Sequence, residues 1–189
     1  MAYTRCKIIY LCKYPVRKSK SYGPNLLEKL PLLPWYAFTQ NEYGSFIGMK
    51  LMRFIKNEDD PFYQEIKNNF ILLSQTEKGL NVIKAFISEL KDAKGQAKIV
   101  DIIKTNSISY IEDPYSNYAF QNIIKQWPLV ITQPLFPLLC NNIMRFSVQQ
   151  CSSNVVETLL YNAPIEFRKN YIQEIIHLGD ISSMFIIKI

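Results

Sequence analysis

Two short runs place hydrogen-bonding side chains beside a flat or amide-bearing one at helical spacing. The first is Asn117-Tyr118-x-x-Gln121 and the second is Ser153-Asn154-x-x-Glu157. On a helix, positions i, i+1 and i+4 project toward a common surface. An unpaired nucleic-acid base offers one polar edge and two π faces, so one such trio is suited to grip one base.

Other chemistries find little support. The chain has a single histidine, His177, and four cysteines at Cys6, Cys12, Cys140 and Cys151, none in a CxxC pair. That pattern predicts reduced thiols, no metal centre and no nucleophile–base constellation. Glu58-Asp59-Asp60 reads as a helix-ending acidic loop, and Met49 and Met52 read as packing residues. The expectation is a protein that is not an enzyme, with no cofactor and no small-molecule substrate.

The sequence of 189 residues is 48% hydrophobic and 20% charged, a globular composition. Mean hydropathy is -0.05. The most apolar stretch, Trp127 to Cys140, is too short to span a bilayer and carries Pro128, Pro134 and Pro137. No membrane association is expected, and the default location is the cell interior. The net charge of +6 is concentrated: residues 1–20 hold Arg5, Lys7, Lys13, Arg17, Lys18 and Lys20 and no acid. A basic end of this kind is able to hold a phosphate backbone.

The elements that must position the trios are helical. Val82-Ile83, Phe86-Ile87 and Leu90 recur at helical spacing, as do Val155-Val156 with Leu159-Leu160, and Phe120 with Ile123-Ile124. Loops are expected near Pro15–Pro24, Asn57–Pro61, Ala93–Gly95, Trp127–Pro134 and Asn162–Pro164. A small residue recurs at Gly44, Gly79, Ser116 and Ser152, at intervals of 35, 37 and 36 residues. Six places before it stand Phe38, Leu73, Tyr110 and Phe146. Seven places after it stand Leu51, Phe86, Ile123 and Leu159, followed by Met52, Ile87, Ile124 and Leu160. Apolar columns agreeing over four copies predict stacked helical units, none able to bury its face alone. The small residue opens a helix where a larger side chain would clash with the neighbouring turn.

Asp113-Pro-Tyr-Ser-Asn-Tyr-Ala-Phe-Gln121 and Cys151-Ser-Ser-Asn-Val-Val-Glu157 resemble repeats of the Pumilio (PUF) family. The resemblance covers roughly residues 36–189. It implies an all-α fold, a right-handed α-solenoid of three-helix repeats about 36 residues long, curved into an arc with the recognition helices on its concave face. Residues 1–35 form a basic segment or a degenerate repeat, with Cys6, Lys7 and Tyr10 in the trio places. The family's usual array has eight repeats, and four copies plus a truncated last one are legible here. Ile181 to Ile189 would be the first helix of that last copy, or Met184, Phe185 and Lys188 its short trio.

The resemblance also implies a code. Asn117, Tyr118 and Gln121 would read uracil, and Ser153, Asn154 and Glu157 guanine. RNA runs antiparallel to the repeats in this family, so the core is 5′-G-U-3′, part of a UGU element. The second copy carries Leu80, Asn81 and Lys84, and the first Ser45, Phe46 and Met49, both departing from the family's pattern. By resemblance, the expected partner is single-stranded mRNA, bound at a 3′-UTR element for translational repression or decay in the cytoplasm, with regulatory proteins on the convex face. The alternatives are a helical scaffold for protein interaction, or a nucleolar, ribosome-assembly relative with degraded base reading.

Overall fold

The computed structural model describes residues 36, 39–55, 57–140 and 142–178. The basic segment 1–35, Phe38, the candidate last copy at 181–189 and the His177 side chain lie outside the described residues. Every regular element among the described residues is helical. In order they are α1 (Glu42–Leu51), a 3₁₀ turn (Met52–Phe54), α2 (Pro61–Asn68), α3 (Phe70–Ser74) and α4 (Glu77–Glu89). Next come α5 (Ala93–Thr105), α6 (Ser107–Glu112), α7 (Ser116–Gln126), α8 (Leu129–Thr132) and a 3₁₀ helix (Gln133–Leu139). The last are α9 (Ile143–Val148), α10 (Gln150–Asn162) and α11 (Ile165–Leu178). Two compact units divide within α5, one covering residues 1–99 and the other 100–189.

The four helices that carry the trios are α1, α4, α7 and α10. Three open on the same device. Asn41 Oδ1 accepts from the Tyr43 and Gly44 amides, Thr76 Oγ1 from Gly79 N at 3.2 Å, and Asp113 Oδ1 from Ser116 N at 2.8 Å. Each satisfies an amide that the helix's first turn leaves unpaired.

The recurring small residue then meets a carbonyl six places back. Ser116 Oγ donates to Tyr110 O at 2.7 Å and Ser152 Oγ to Phe146 O at 2.8 Å. Both serines are fully buried, so these bonds lock α6 to α7 and α9 to α10. In the second copy the equivalent carbonyl is Leu73 O, and a Cβ on Gly79 would stand 2.3 Å from it. Gly79→Ala should therefore destabilise the fold by about 1–3 kcal/mol, read as a lower urea midpoint. At Gly95 a Cβ would meet only side-chain atoms first, at 3.1 Å. Gly95→Ala should cost less, and equal midpoints for the two variants would contradict this account.

The apolar columns form the two cores. Leu73, Tyr110 and Phe146 are fully buried, and so are Phe86 and Ile123, with Leu159 at 2% exposure. In the first unit α4 packs on α1 and α3. Phe86 lies 5.9 Å from the Tyr63 ring and 6.3 Å from Phe70. Gly48 lets α1 approach α4, since a Cβ there would be 3.1 Å from Val82 Cγ2. In the second unit α10 packs along α7, and α6 joins them. The Arg145 guanidinium bonds both carboxylate oxygens of Glu112, at 2.6 and 2.8 Å, tying α9 to α6.

Two expected loops are helical instead, and one acidic loop precedes a helix where it was expected to end one. Ala93–Gly95 is the first turn of α5, because Asp92 Oδ2 accepts from Gly95 N at 2.9 Å and starts the helix. The Gly95 carbonyl also accepts from the Tyr63 hydroxyl at 2.9 Å. Burial, reinforced by Glu58 and Asp92, raises that hydroxyl well above the ordinary tyrosine range and keeps it a donor. Trp127–Pro134 is largely ordered into α8 and the 3₁₀ helix, whose prolines lack the amides an α-ladder needs. Glu58-Asp59-Asp60 opens a helix rather than ending one. Asp60 caps α2, with Pro61 at its first position, and Glu58 pairs with Lys98. Among the described residues no group of three metal-ligating side chains occurs. No helix among them is long and apolar enough to cross a membrane.

Candidate nucleic-acid interface

The three trio positions differ sharply in exposure. The second position is exposed in every copy: Phe46 at 48%, Tyr118 at 46%, and Asn81 and Asn154 likewise. The first position turns inward in three copies, with Ser45 at 3%, Leu80 at 5% and Asn117 at 1% exposure. Only Ser153 at that position is half-buried. The third position spans the range, from Gln121 at 8% through half-buried Met49 and Lys84 to exposed Glu157. The trio is thus not one uniform surface. In three copies the first position is buried, which helical spacing alone does not reveal.

The first two copies commit their first-position side chains to packing. Ser45 Oγ donates to Lys78 O at 3.1 Å, so its hydroxyl serves the packing of α1 on α4. The Lys50 ammonium lies 4.5 Å over the Phe46 ring, a cation–π pair that covers one face. Leu80 sits in the core, leaving Asn81 and Lys84 as the polar members of the second copy.

The third copy holds its amides in a chain of fixed polarity. Asn117 Nδ2 donates to Asp113 O at 2.8 Å. A carbonyl only accepts, so Asn117 Oδ1 faces the other way, where Gln121 Nε2 donates to it at 3.0 Å. Gln121 Oε1 then faces α10 and accepts from Thr158 Oγ1 at 3.3 Å. Beside the exposed Tyr118 ring, Gln121 keeps one Nε2 proton outside this chain. Asn117 has both ends of its amide committed to the protein. The fourth copy has the opposite polarity. Glu157 exposes a carboxylate, which only accepts, next to half-buried Ser153 and exposed Asn154. Asn154 Nδ2 bonds Gln150 O at 3.0 Å, fixing its plane along the helix.

Cys140 and Cys151 are free and half-buried. Burial, then Glu174, pushes the Cys140 thiol up, away from nucleophile chemistry.

No family model matches the chain. It is similar to Pumilio homolog 11 of Arabidopsis thaliana, 28% identical over 152 residues, covering 79% of this chain and 27% of the relative. Pumilio homolog 12 of the same plant is 31% identical over 99 residues, covering 50% of this chain and 16% of the relative. Among solved structures, the Puf4 RNA-binding domain bound to an HO endonuclease 3′-UTR recognition sequence superposes with a TM-score of 0.74 at 15% identity. It covers 82% of this chain and 48% of that one. The Puf3 RNA-binding domain bound to Cox17 RNA site A gives 0.71 at 16% identity, covering 91% and 49%. The chain has the fold of a run of Pumilio-type repeats. It spans about a quarter of the length of Pumilio homolog 11 and about half of the solved Puf domains.

On that fold α1, α4, α7 and α10 are the helices that carry the trios, and their second positions are exposed. Two features of these repeats were not picked out from the sequence. The capping residues Asn41, Thr76 and Asp113 precede Gly44, Gly79 and Ser116 by three places and repeat with them. Thr158, one place beyond Glu157, is 5% exposed and reaches back to the previous copy.

Proposed function

We propose that the chain binds single-stranded RNA and selects bases with its third and fourth copies. The observation that carries this is the opposed polarity of two neighbouring recognition helices. Gln121 offers an N–H beside the Tyr118 ring, and Glu157 offers only acceptor oxygens. Uracil presents carbonyl oxygens along its edge, and guanine presents N1–H and N2–H, so the pair matches 5′-G-U-3′ in the antiparallel sense. The intact trios are adjacent and lie in one unit, as a base reader needs and random decay of a scaffold would not favour. The solved Puf domains of like fold are bound to 3′-UTR recognition sequences. By that likeness the target is a UGU-type element in mRNA, and the role is post-transcriptional regulation.

The test is binding of the full chain to a fluorescent RNA containing UGUA and to the same RNA with UGU changed to ACA, in about 150 mM salt to suppress phosphate-only attraction. Tighter binding to UGUA is expected. Equal, salt-sensitive binding to both would reduce the function to phosphate attraction by the basic segment. Binding to neither would favour a protein-interaction scaffold.

A further inference from the structure

We propose that Thr158, on the recognition helix of the fourth copy, sets the base choice of the third. The inference rests on the RNA-reading function above and adds a residue outside both trios. The Gln121 amide is held from two ends, by the Asp113 carbonyl acting through Asn117 and by the Thr158 hydroxyl. Gln121 is 8% exposed and Thr158 is 5% exposed, so water competes poorly for either group. With Oε1 engaged by Thr158, Gln121 shows a base its Nε2 proton and no acceptor. A donor selects the carbonyl oxygen of uracil and opposes the exocyclic amine of cytosine, where two sets of N–H would face each other.

Without the Thr158 hydroxyl, Gln121 Oε1 has no donor among the described residues and sits buried. A buried acceptor without a partner is costly. The amide then gains by turning outward, where Oε1 accepts from water or from a cytosine amine. Thr158 is accordingly a positioning residue that couples two repeats: one copy's base choice is written partly in the next copy's helix.

The experiment compares wild type, Thr158→Val and Thr158→Ser for binding to RNAs containing UGUA, UGCA and UAUA. Valine keeps the shape of threonine and removes the hydroxyl; serine keeps the hydroxyl. Wild type should prefer UGUA over UGCA. Thr158→Val should lower that ratio by about tenfold, mainly by binding UGCA better, and leave the UGUA-to-UAUA ratio unchanged. Thr158→Ser should retain both ratios. A merely structural role would weaken all three RNAs together, so it is told apart by the ratios even if Thr158→Val melts earlier. An unchanged uracil-to-cytosine ratio in Thr158→Val overturns the inference while leaving RNA reading intact. A wild type that binds all three RNAs equally overturns both.

Discussion

Replacing Glu157 with glutamine is expected to weaken binding to a UGUA-containing RNA by about 5- to 150-fold, the range given by 1–3 kcal/mol for a paired base-edge contact. The side chain keeps its length and its place on α10, exposed and beside Asn154. What changes is polarity. A carboxylate accepts from both N1–H and N2–H of guanine, whereas a glutamine amide presents one oxygen and two N–H groups. One guanine donor then loses its acceptor and meets another donor. Loss should be confined to RNAs with guanine at that place. An RNA with adenine there should bind the variant about as well as it binds wild type. Fluorescence anisotropy with the two RNAs checks this, and a uniform loss on both would place Glu157 outside base reading.

The second large effect is on stability. Phe86→Ala should cost about 3–5 kcal/mol, the usual range for deleting a buried aromatic ring. Phe86 is fully buried on α4, with Tyr63 and Phe70 around it at ring distances of 5.9 and 6.3 Å. It therefore joins α2, α3 and α4. Against a typical total of about 5–15 kcal/mol the loss leaves little margin. Phe46→Ala, on the exposed face of α1, should cost less than about 1 kcal/mol. Urea unfolding followed by circular dichroism distinguishes them, and similar midpoints would contradict the placement of Phe86 in the core.

Much of the fold was legible because repetition magnifies weak signals. No single apolar residue identifies a helix, but Leu73, Tyr110 and Phe146 stand at one register place and all three are fully buried. The same holds for the small residue, whose reason proved specific: in three copies it lies against the carbonyl six places back. The misread segment at Ala93–Gly95 shows what local punctuation hides. A glycine was read as a break, although Asp92 stands three places before it, as Thr76 stands before Gly79. In both, a side-chain oxygen takes the amide of the third residue and starts a helix.

The exposure of the candidate trios was not legible in the sequence. Helical spacing groups Asn117, Tyr118 and Gln121, but burial depends on the packing of other helices. Asn117 lies inward and Tyr118 outward. Thr158 escaped notice because its contact crosses 37 residues to Gln121, and no local pattern reports such a pair.

The most direct test of the account asks where an RNA base lies. A UGUA-containing RNA with 4-thiouridine at the second U, irradiated with the full chain, should cross-link to α7 at Tyr118, as mapped by mass spectrometry. The cross-link should fall when Glu157→Gln weakens binding of the adjoining guanine. Cross-linking confined to the basic residues 1–20, with none on α7 or α10, would contradict base reading by these repeats.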